Sequence, residues 1–441
     1  MSGTAPAPRV ALAPARHRAL LDAARPWLLA VLLAVILPWL FRDWAHARDN
    51  GFMISMLGQI GMMIIFALSY NMLLGEAGLL SFGYAVFFGF GGYCVAHALN
   101  NAGSGSLSLP LEVLPVFGGF CGLALAAVFG AMATKQRSTA FAMITFGIGQ
   151  LVATAAIMFH SFFGGESGIS TDRQNAWSLF GLNYSRGLQV YYLIVFWALA
   201  CTLAMYYLRT TPLGRMANAC RDNPERAQFV GYDPRMVRFL QFTLAGFFAG
   251  VGGGLYTITY EIVTYDAVNA PLTANALLMA FIGGVGSFAG PILGAVLITL
   301  LQSGVSLMSN SWLVYVGVLF IVMVTFAPGG LMGLVRAHRP VARAGRLGAL
   351  AVPYLRLVPG AALALFGFAA LVEMLSFITM GAAEGKTLTL FGYVPNVHGP
   401  SPWLVAVLSL VLGGAWLRRE GRRFFLVWEA ETSRLLPAPG R

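Results

Sequence analysis

The sequence predicts an all-α membrane protein, a polytopic transmembrane helix bundle with about ten core spans and about two more near the C-terminus. Two observations predict this class. Hydrophobic residues make up 58% of the 441 residues and charged residues only 10%, whereas a soluble domain has about 25% charged residues. The apolar residues also fall in runs long enough to cross a bilayer. These features exclude a soluble enzyme, a disordered chain and a nucleic-acid-binding module.

Twelve apolar segments are candidate membrane spans. A helix needs about 20 mainly apolar residues to cross a hydrocarbon core of about 30 Å, and the lack of water there forces the backbone into helices. The segments are 26–42, 51–73, 81–99, 113–134, 138–163, 188–209, 237–261, 273–287, 289–305, 311–328, 355–379 and 402–417. The pair 273–287 and 289–305 is short and broken by glycines, so it fits either two tilted spans or a re-entrant hairpin.

The basic residues indicate an orientation, because cytoplasmic loops of membrane proteins carry an excess of Lys and Arg. With twelve spans and a cytoplasmic N-terminal segment at 1–25, cytoplasmic connections hold 23 of the 28 Lys and Arg residues. The five others are Arg42, Arg48, Arg173, Arg186 and Lys386. We therefore predict that both termini are cytoplasmic. The net charge of +11 then requires no nucleic acid as a partner.

The segment Arg209–Arg238, named here the basic loop, has the sequence signals of two short helices. Asn223 can cap a helix that has Pro224 at its first position, and Gly231 can end it. Asp233 and Pro234 repeat the same start signal for the next span. A basic anchor needs no folded structure, so these signals favour a docking surface for a cytoplasmic partner over a simple anchor.

Six segments spread along the chain carry further motifs. They read LLGEAGLLSFGYAVFFGFGGY (73–93), STAFAMITFGIGQLV (138–152), FFGGESGIS (162–170), ANACRDNPERAQFVGYDPRMVRFLQFTLAGFFAGVGGGLY (217–256), FIGGVGSFAGPILGA (281–295) and FAPGGLMGL (326–334). In this order they resemble the branched-chain amino acid permeases of bacterial ABC importers. The resemblance covers about residues 51 to 335, and it implies a permease transmembrane domain at 26–335.

The resemblance implies a non-enzymatic subunit of the cell inner membrane that forms half of a translocation pathway. A second permease of the same family would complete the pathway, and two cytoplasmic subunits would bind and use ATP. A periplasmic or extracellular solute-binding protein would deliver the solute. The resemblance favours branched-chain amino acids, while urea, amides and small aromatic acids remain alternatives. It also implies an ATPase-coupling role for Ala219, Arg221, Asp222, Asn223, Arg226 and Gly231.

Two features depart from the family pattern. Tyr84 stands where many members have His, which bears on the substrate or on a helix interface. Residues 336–441 extend past the usual end of the family and add two candidate spans and a basic tail. Within this extension Glu373 lies in a predicted span. Its carboxylate faces either a cavity or neighbouring helix, or the membrane interface. The membrane interface is favoured, because the extension lies outside the recognised core.

The sequence offers no chemistry of its own. The nearest match to a phosphate-binding loop, Gly381–Thr387, has three residues between its glycines where the motif needs four. The six histidines are scattered, and the four cysteines form no C-x-x-C pair, so no catalytic or metal site is predicted. A membrane-embedded enzyme is therefore a weaker hypothesis than a permease without cofactors. A passive channel is also weaker, because it would lack the capped helix of the basic loop.

Glycines point to two kinds of site. Gly246, Gly250 and Gly254 lie on one face of a helix, as Gly118 and Gly122 do in another, which is typical of close helix packing. Two further clusters, Gly75–Gly83 and Gly283–Pro291, interrupt apolar segments, and broken helices in transporters often border the substrate site. The candidate pathway residues are Ser81, Tyr84, Gly286, Ser287 and Pro291. Simple turns between tight spans are the alternative.

Overall fold

A computed structural model describes most of the chain. The described residues are 16–40, 51–103, 109–136, 138–179, 181–182, 184–307, 309, 311–381, 397 and 399–433. Several features of the sequence therefore lie outside the described residues. They are Arg9, the connection with Arg42 and Arg48, the segment from 382 to Thr387 with Lys386, and the tail beyond Ser433.

The described chain is helical almost throughout, which confirms the predicted fold class. The first helices are α1 (Arg16–Leu40), α2 (Gly51–Asn71), α3 (Ala85–Gly103), α4 (Leu114–Ala133), α5 (Ser138–Met158), α6 (His160–Phe163), α7 (Gly187–Thr210) and α8 (Pro212–Asp222). They are followed by α9 (Pro224–Phe229), α10 (Pro234–Tyr260), α11 (Ala270–Gly283), α12 (Ala289–Val305), α13 (Trp312–Phe326), α14 (Gly330–Arg343), α15 (Leu347–Ser376) and α16 (Pro400–Ser433). Each candidate span falls on one or two of these helices.

Helix length separates clear spans from short ones. Within the described residues, seven helices are long and apolar enough to cross a membrane, and the bent pair α13–α14, with an angle of 43°, would make eight. Helices α11 and α12 have only 14 and 17 residues, fewer than the about 20 needed for a straight crossing. The count of twelve spans and the cytoplasmic position of both termini stay predictions.

Helix α10 lies at the centre of the bundle and packs against α2, α3 and α4. Its contact with α4 is made by glycines: Gly250 lies against the Gly118 carbonyl and Gly246 against Gly122. At its far end, Gly254 lies against Pro115. A side chain at these positions would meet backbone atoms, so the glycines allow the two helices to approach closely.

A folded cap covers the end of the bundle opposite the basic loop. Two short strands, β1 (Ile169–Ser170) and β2 (Ile262–Val263), pair antiparallel there. Glu112 accepts hydrogen bonds from Ser178 (2.7 Å) and from Tyr184 (3.0 Å), which fix the cap to the start of α4.

The C-terminal extension forms an antiparallel hairpin of α15 and α16. Gly360 packs against Trp416, and the Trp416 indole donates a hydrogen bond to the Arg356 carbonyl. Tyr315 of α13 donates a hydrogen bond of 2.8 Å to Glu373 of α15. Glu373 therefore faces a neighbouring helix, the alternative that the sequence did not favour, and it joins the extension to the preceding bundle.

Candidate coupling site

The basic loop folds into the two short helices predicted for it. Asn223 accepts a hydrogen bond from the Arg226 backbone N–H (3.0 Å) and caps α9, which begins at Pro224. Asp233 caps α10 in the same way. Gly231 has a φ of +90°, a conformation that L side chains rarely adopt. These are local contacts, so the sequence signals were sufficient to predict them.

The tip of the basic loop exposes apolar side chains. Phe229 is 90% exposed and Val230 68% exposed. The neighbouring Arg226 and Asp222 are also exposed, while Ala219 is half-buried on α8. An exposed aromatic residue beside charged residues is typical of a protein interface. Phe229 and Val230 were missed in the sequence because an isolated apolar pair in a polar loop has no distinctive pattern.

Helix α8 packs onto the first glycine cluster. The Arg221 guanidinium donates a hydrogen bond to the Gly75 carbonyl and pairs with Asp222 at 2.9 Å. Gly78 has a φ of +69°, and a methyl group added there would lie 2.6 Å from the Arg221 Cγ. The basic loop therefore packs directly against the Gly75–Gly83 segment.

The end of α2 differs from an ordinary helix end. Residues Met72–Glu76 continue α2 as a π-helical turn, and such turns often lie at functional sites. Glu76 is only 6% exposed, and Gln241 of α10 donates a hydrogen bond of 3.1 Å to its carboxylate. Arg209, at the end of α7, lies 4.0 Å from the same group. Sequence reasoning missed Glu76 and Gln241, since their pairing joins distant helices.

Ser81 and Tyr84, two candidate pathway residues, are fully buried within this chain. The Tyr84 hydroxyl donates a hydrogen bond of 2.8 Å to the Ala245 carbonyl of α10, and its ring stacks on Phe66. Tyr84 thus lies in a helix interface, one of the two roles considered for it. At the same turn, Phe82 is exposed.

The second glycine cluster is a tight turn between α11 and α12. Ser287 is buried, donates a hydrogen bond to the Gly284 carbonyl (2.9 Å) and accepts one from the Gly290 N–H (3.1 Å). Gly284 lies against Gly329, which connects this turn to the start of α14. Pro291 is also buried, whereas Gly286 is exposed with a φ of +84°.

A cleft of about 690 Å³ opens at the other end of the bundle, between α2 and α7. Its lining combines apolar residues such as Ile54 and Tyr191 with Arg173 and Arg186. None of the candidate pathway residues lines it. Among the described residues, no group of three His, Cys, Asp or Glu side chains could hold a metal ion.

The sequence of this helix bundle corresponds to a known permease family. Residues 52–327 match the family model described as branched-chain amino acid transport system / permease component. The chain belongs to this family. It is a permease subunit of an ABC importer, a multi-pass membrane protein, and not an enzyme. The match ends in the connection between α13 and α14, so α14 to α16 lie outside it.

Several permeases are similar to part of this chain. The high-affinity branched-chain amino acid transport system permease protein LivM of Escherichia coli is 26% identical over 62% of this chain and 68% of its own length. A probable LivM permease of Methanocaldococcus jannaschii is 24% identical over 62% of this chain and 90% of its own length. The ribose import permease protein RbsC of Haemophilus influenzae is 26% identical over 32% of this chain and 45% of its own. No solved structure gives a significant match.

Proposed function

We propose that this permease forms half of a pathway for the uptake of branched-chain or related amino acids. A second permease of the same family would form the other half, two cytoplasmic ATP-binding subunits would supply the energy, and a solute-binding protein would deliver the solute. The names of the LivM relatives support this class of solute. Urea, amides and small aromatic acids are the alternative solutes.

The observation that carries the proposal is the exposed tip of the folded basic loop. Phe229 and Val230 lie at the end of a capped helix that is fixed to the bundle. Aromatic side chains that become buried at a partner surface commonly dominate binding. Arg226 lies one helical turn from Phe229 and would contribute a charge at the rim of the same interface.

Replacing the tip residues tests this docking. The double change Phe229→Ser and Val230→Ser should weaken binding of the purified ATP-binding subunits by about tenfold or more. The control is Leu307→Ser, an equally apolar and exposed residue (69%) at the opposite end of the bundle. Unchanged binding in the double variant, measured by co-purification and by ATP hydrolysis, would contradict the proposal.

An uptake assay identifies the solute. The permease, its partner permease and the ATP-binding subunits are reconstituted with the solute-binding protein, and radiolabelled leucine is followed. Competition by isoleucine and valine supports the proposed class. Competition by urea, an amide or an aromatic acid, with no effect of valine, would favour the alternatives.

We also propose that the exposed parts of the two glycine turns border the pathway on the side of the basic loop. Phe82 and Val285 are exposed beside the buried Ser81 and Ser287. Bulky replacements of Ser81 and Ser287 should therefore impair uptake while the ATP-binding subunits still bind. Normal uptake in both variants would exclude this position for the pathway.

In the proposed orientation the basic loop and both termini lie in the cytoplasm. The proposed boundaries of the permease domain are residues 26 and 335. The distribution of Lys and Arg supports it. A phosphatase active only outside the cytoplasm, fused after residue 441, should be inactive. An active fusion would refute the cytoplasmic C-terminus.

A further inference from the structure

The basic loop is connected to the helices of the bundle in different ways. Helix α7 runs directly into the loop through Thr211, and α10 leaves it at Pro234. Both helices are therefore covalently continuous with the loop. Helix α2 is a central, largely buried helix, yet it lies far from the loop in the sequence. Any movement of the loop must reach α2 through noncovalent contacts.

The π-helical turn at the end of α2 provides those contacts. Arg221 of α8 donates a hydrogen bond to the Gly75 carbonyl inside this turn. The carboxylate of the next residue, Glu76, accepts a hydrogen bond of 3.1 Å from the Gln241 side chain of α10. The same carboxylate lies 4.0 Å from the Arg209 side chain of α7. Two adjacent residues thus connect α2 with α8, α7 and α10. The Arg221 bond is charge-assisted, and such bonds are stronger than neutral ones.

The surroundings of the turn include a buried polar atom without a hydrogen-bond partner. Asn71 is 3% exposed, and its side-chain oxygen has no hydrogen-bond partner among the described residues. A methyl group added to Gly75 would collide with this oxygen. A buried acceptor without a partner raises the free energy of the arrangement that contains it. An arrangement in which the turn rewinds and this oxygen is paired would relieve that cost.

We propose that Arg221 and Glu76 are positioning residues that transmit the movement of the basic loop to α2 and α10. Arg221 pulls on the π-helical turn, and the Glu76 carboxylate keeps the ends of α2, α7 and α10 together while the turn moves. This inference rests on the proposed coupling to ATP-binding subunits. It differs from docking, because Arg221 and Glu76 face the bundle and the docking tip is formed by Phe229 and Val230.

The test compares two arginines of the same helix. Arg221→Gln and Arg215→Gln remove one charge each from α8. Arg215 is exposed and its side chain forms no hydrogen bond or ion pair with any described residue, so it is the matched control. Glu76→Gln removes the carboxylate charge and keeps the shape of the side chain. The complete importer is reconstituted in vesicles, and solute uptake and ATP hydrolysis are measured together.

We expect Arg221→Gln and Glu76→Gln to retain the bound subunits and ATP hydrolysis, while the solute carried per ATP falls by about fivefold or more. Arg215→Gln should keep the wild-type ratio, and Arg221→Lys, which keeps a charged donor, should recover part of it. A wild-type ratio in Arg221→Gln, or an equal fall in Arg215→Gln, would overturn the proposal. If Glu76→Gln does not assemble, the Arg221 variants alone decide the test, because the Arg221 side chain is partly exposed. Failure of the wild-type chain to bind the ATP-binding subunits would instead refute the proposed function.

Discussion

The contact between α4 and α10 gives the sharpest test of the fold. An alanine methyl at Gly250 would collide with the Gly118 carbonyl and lie 3.1 Å from the Gly119 Cα. Gly91 of α3 approaches the same residue, because a methyl group added to Gly91 would lie 2.6 Å from the Gly250 Cα. All of these neighbours are backbone atoms, so no side chain can rotate away. The helices must separate to admit the methyl group.

The magnitude follows from two opposing effects. Inserting a methyl group into a tightly packed core costs about 1–3 kcal/mol, and the rigid backbone neighbours at Gly250 favour the upper end of this range. Replacing Gly by Ala inside a helix gains about 1 kcal/mol from helix propensity. We therefore expect Gly250→Ala to lower the free energy of unfolding by about 2 kcal/mol. The melting temperature should fall by a few degrees.

A thiol-reactive fluorophore measures this change in detergent once the half-buried Cys94 and Cys121 are replaced by serine in every protein compared, because the remaining Cys201 and Cys220 are buried and react only as the helices unfold. The control is Gly147→Ala on α5, where an added methyl group meets nothing within 4 Å. Gly147→Ala should be as stable as the wild type or more stable. A Gly250→Ala protein with wild-type stability, or an equal loss in the control, would refute the packing argument.

Three further predictions concern single polar contacts. Burial would raise the pKa of Glu112, but its hydrogen bonds, including those from Ser178 and Tyr184, outweigh burial and hold the pKa below its usual value. A lowered pKa adds stability above the unfolded pKa of about 4.3 and loses it as the pH falls through the folded pKa. Thermal melts should therefore show a weaker loss on acidification in Glu112→Gln than in the wild type, and identical pH profiles would contradict this. Tyr84→Phe loses the bond to the Ala245 carbonyl and should lower the free energy of unfolding by about 1 kcal/mol, whereas an unchanged melting curve would argue against the bond. Tyr315→Phe should make the α15–α16 hairpin more sensitive to limited proteolysis than the wild type, because it removes the bond to Glu373; equal cleavage rates would exclude that attachment.

Local features of the permease were predictable because each depends on a few neighbouring residues. The hydrophobic runs located the helices, since a bilayer leaves the backbone no other way to satisfy its hydrogen bonds. Asn223 and Asp233 indicated helix starts, because a capping side chain bonds to a backbone N–H two or three residues away. The ordered motifs were specific enough to indicate the family.

Contacts between distant helices depended on packing that hydropathy does not encode. Spacing alone could not show that Gly250 lies against Gly118, nor that the Tyr84 hydroxyl bonds to α10. The connection of Glu76 with Gln241 and Arg209 was equally invisible, since these residues are far apart in sequence. The sequence by itself determined the class, the helices, the basic loop and the family. Only the tertiary structure decided which helix ends meet, because that depends on the shapes of the packed helix faces.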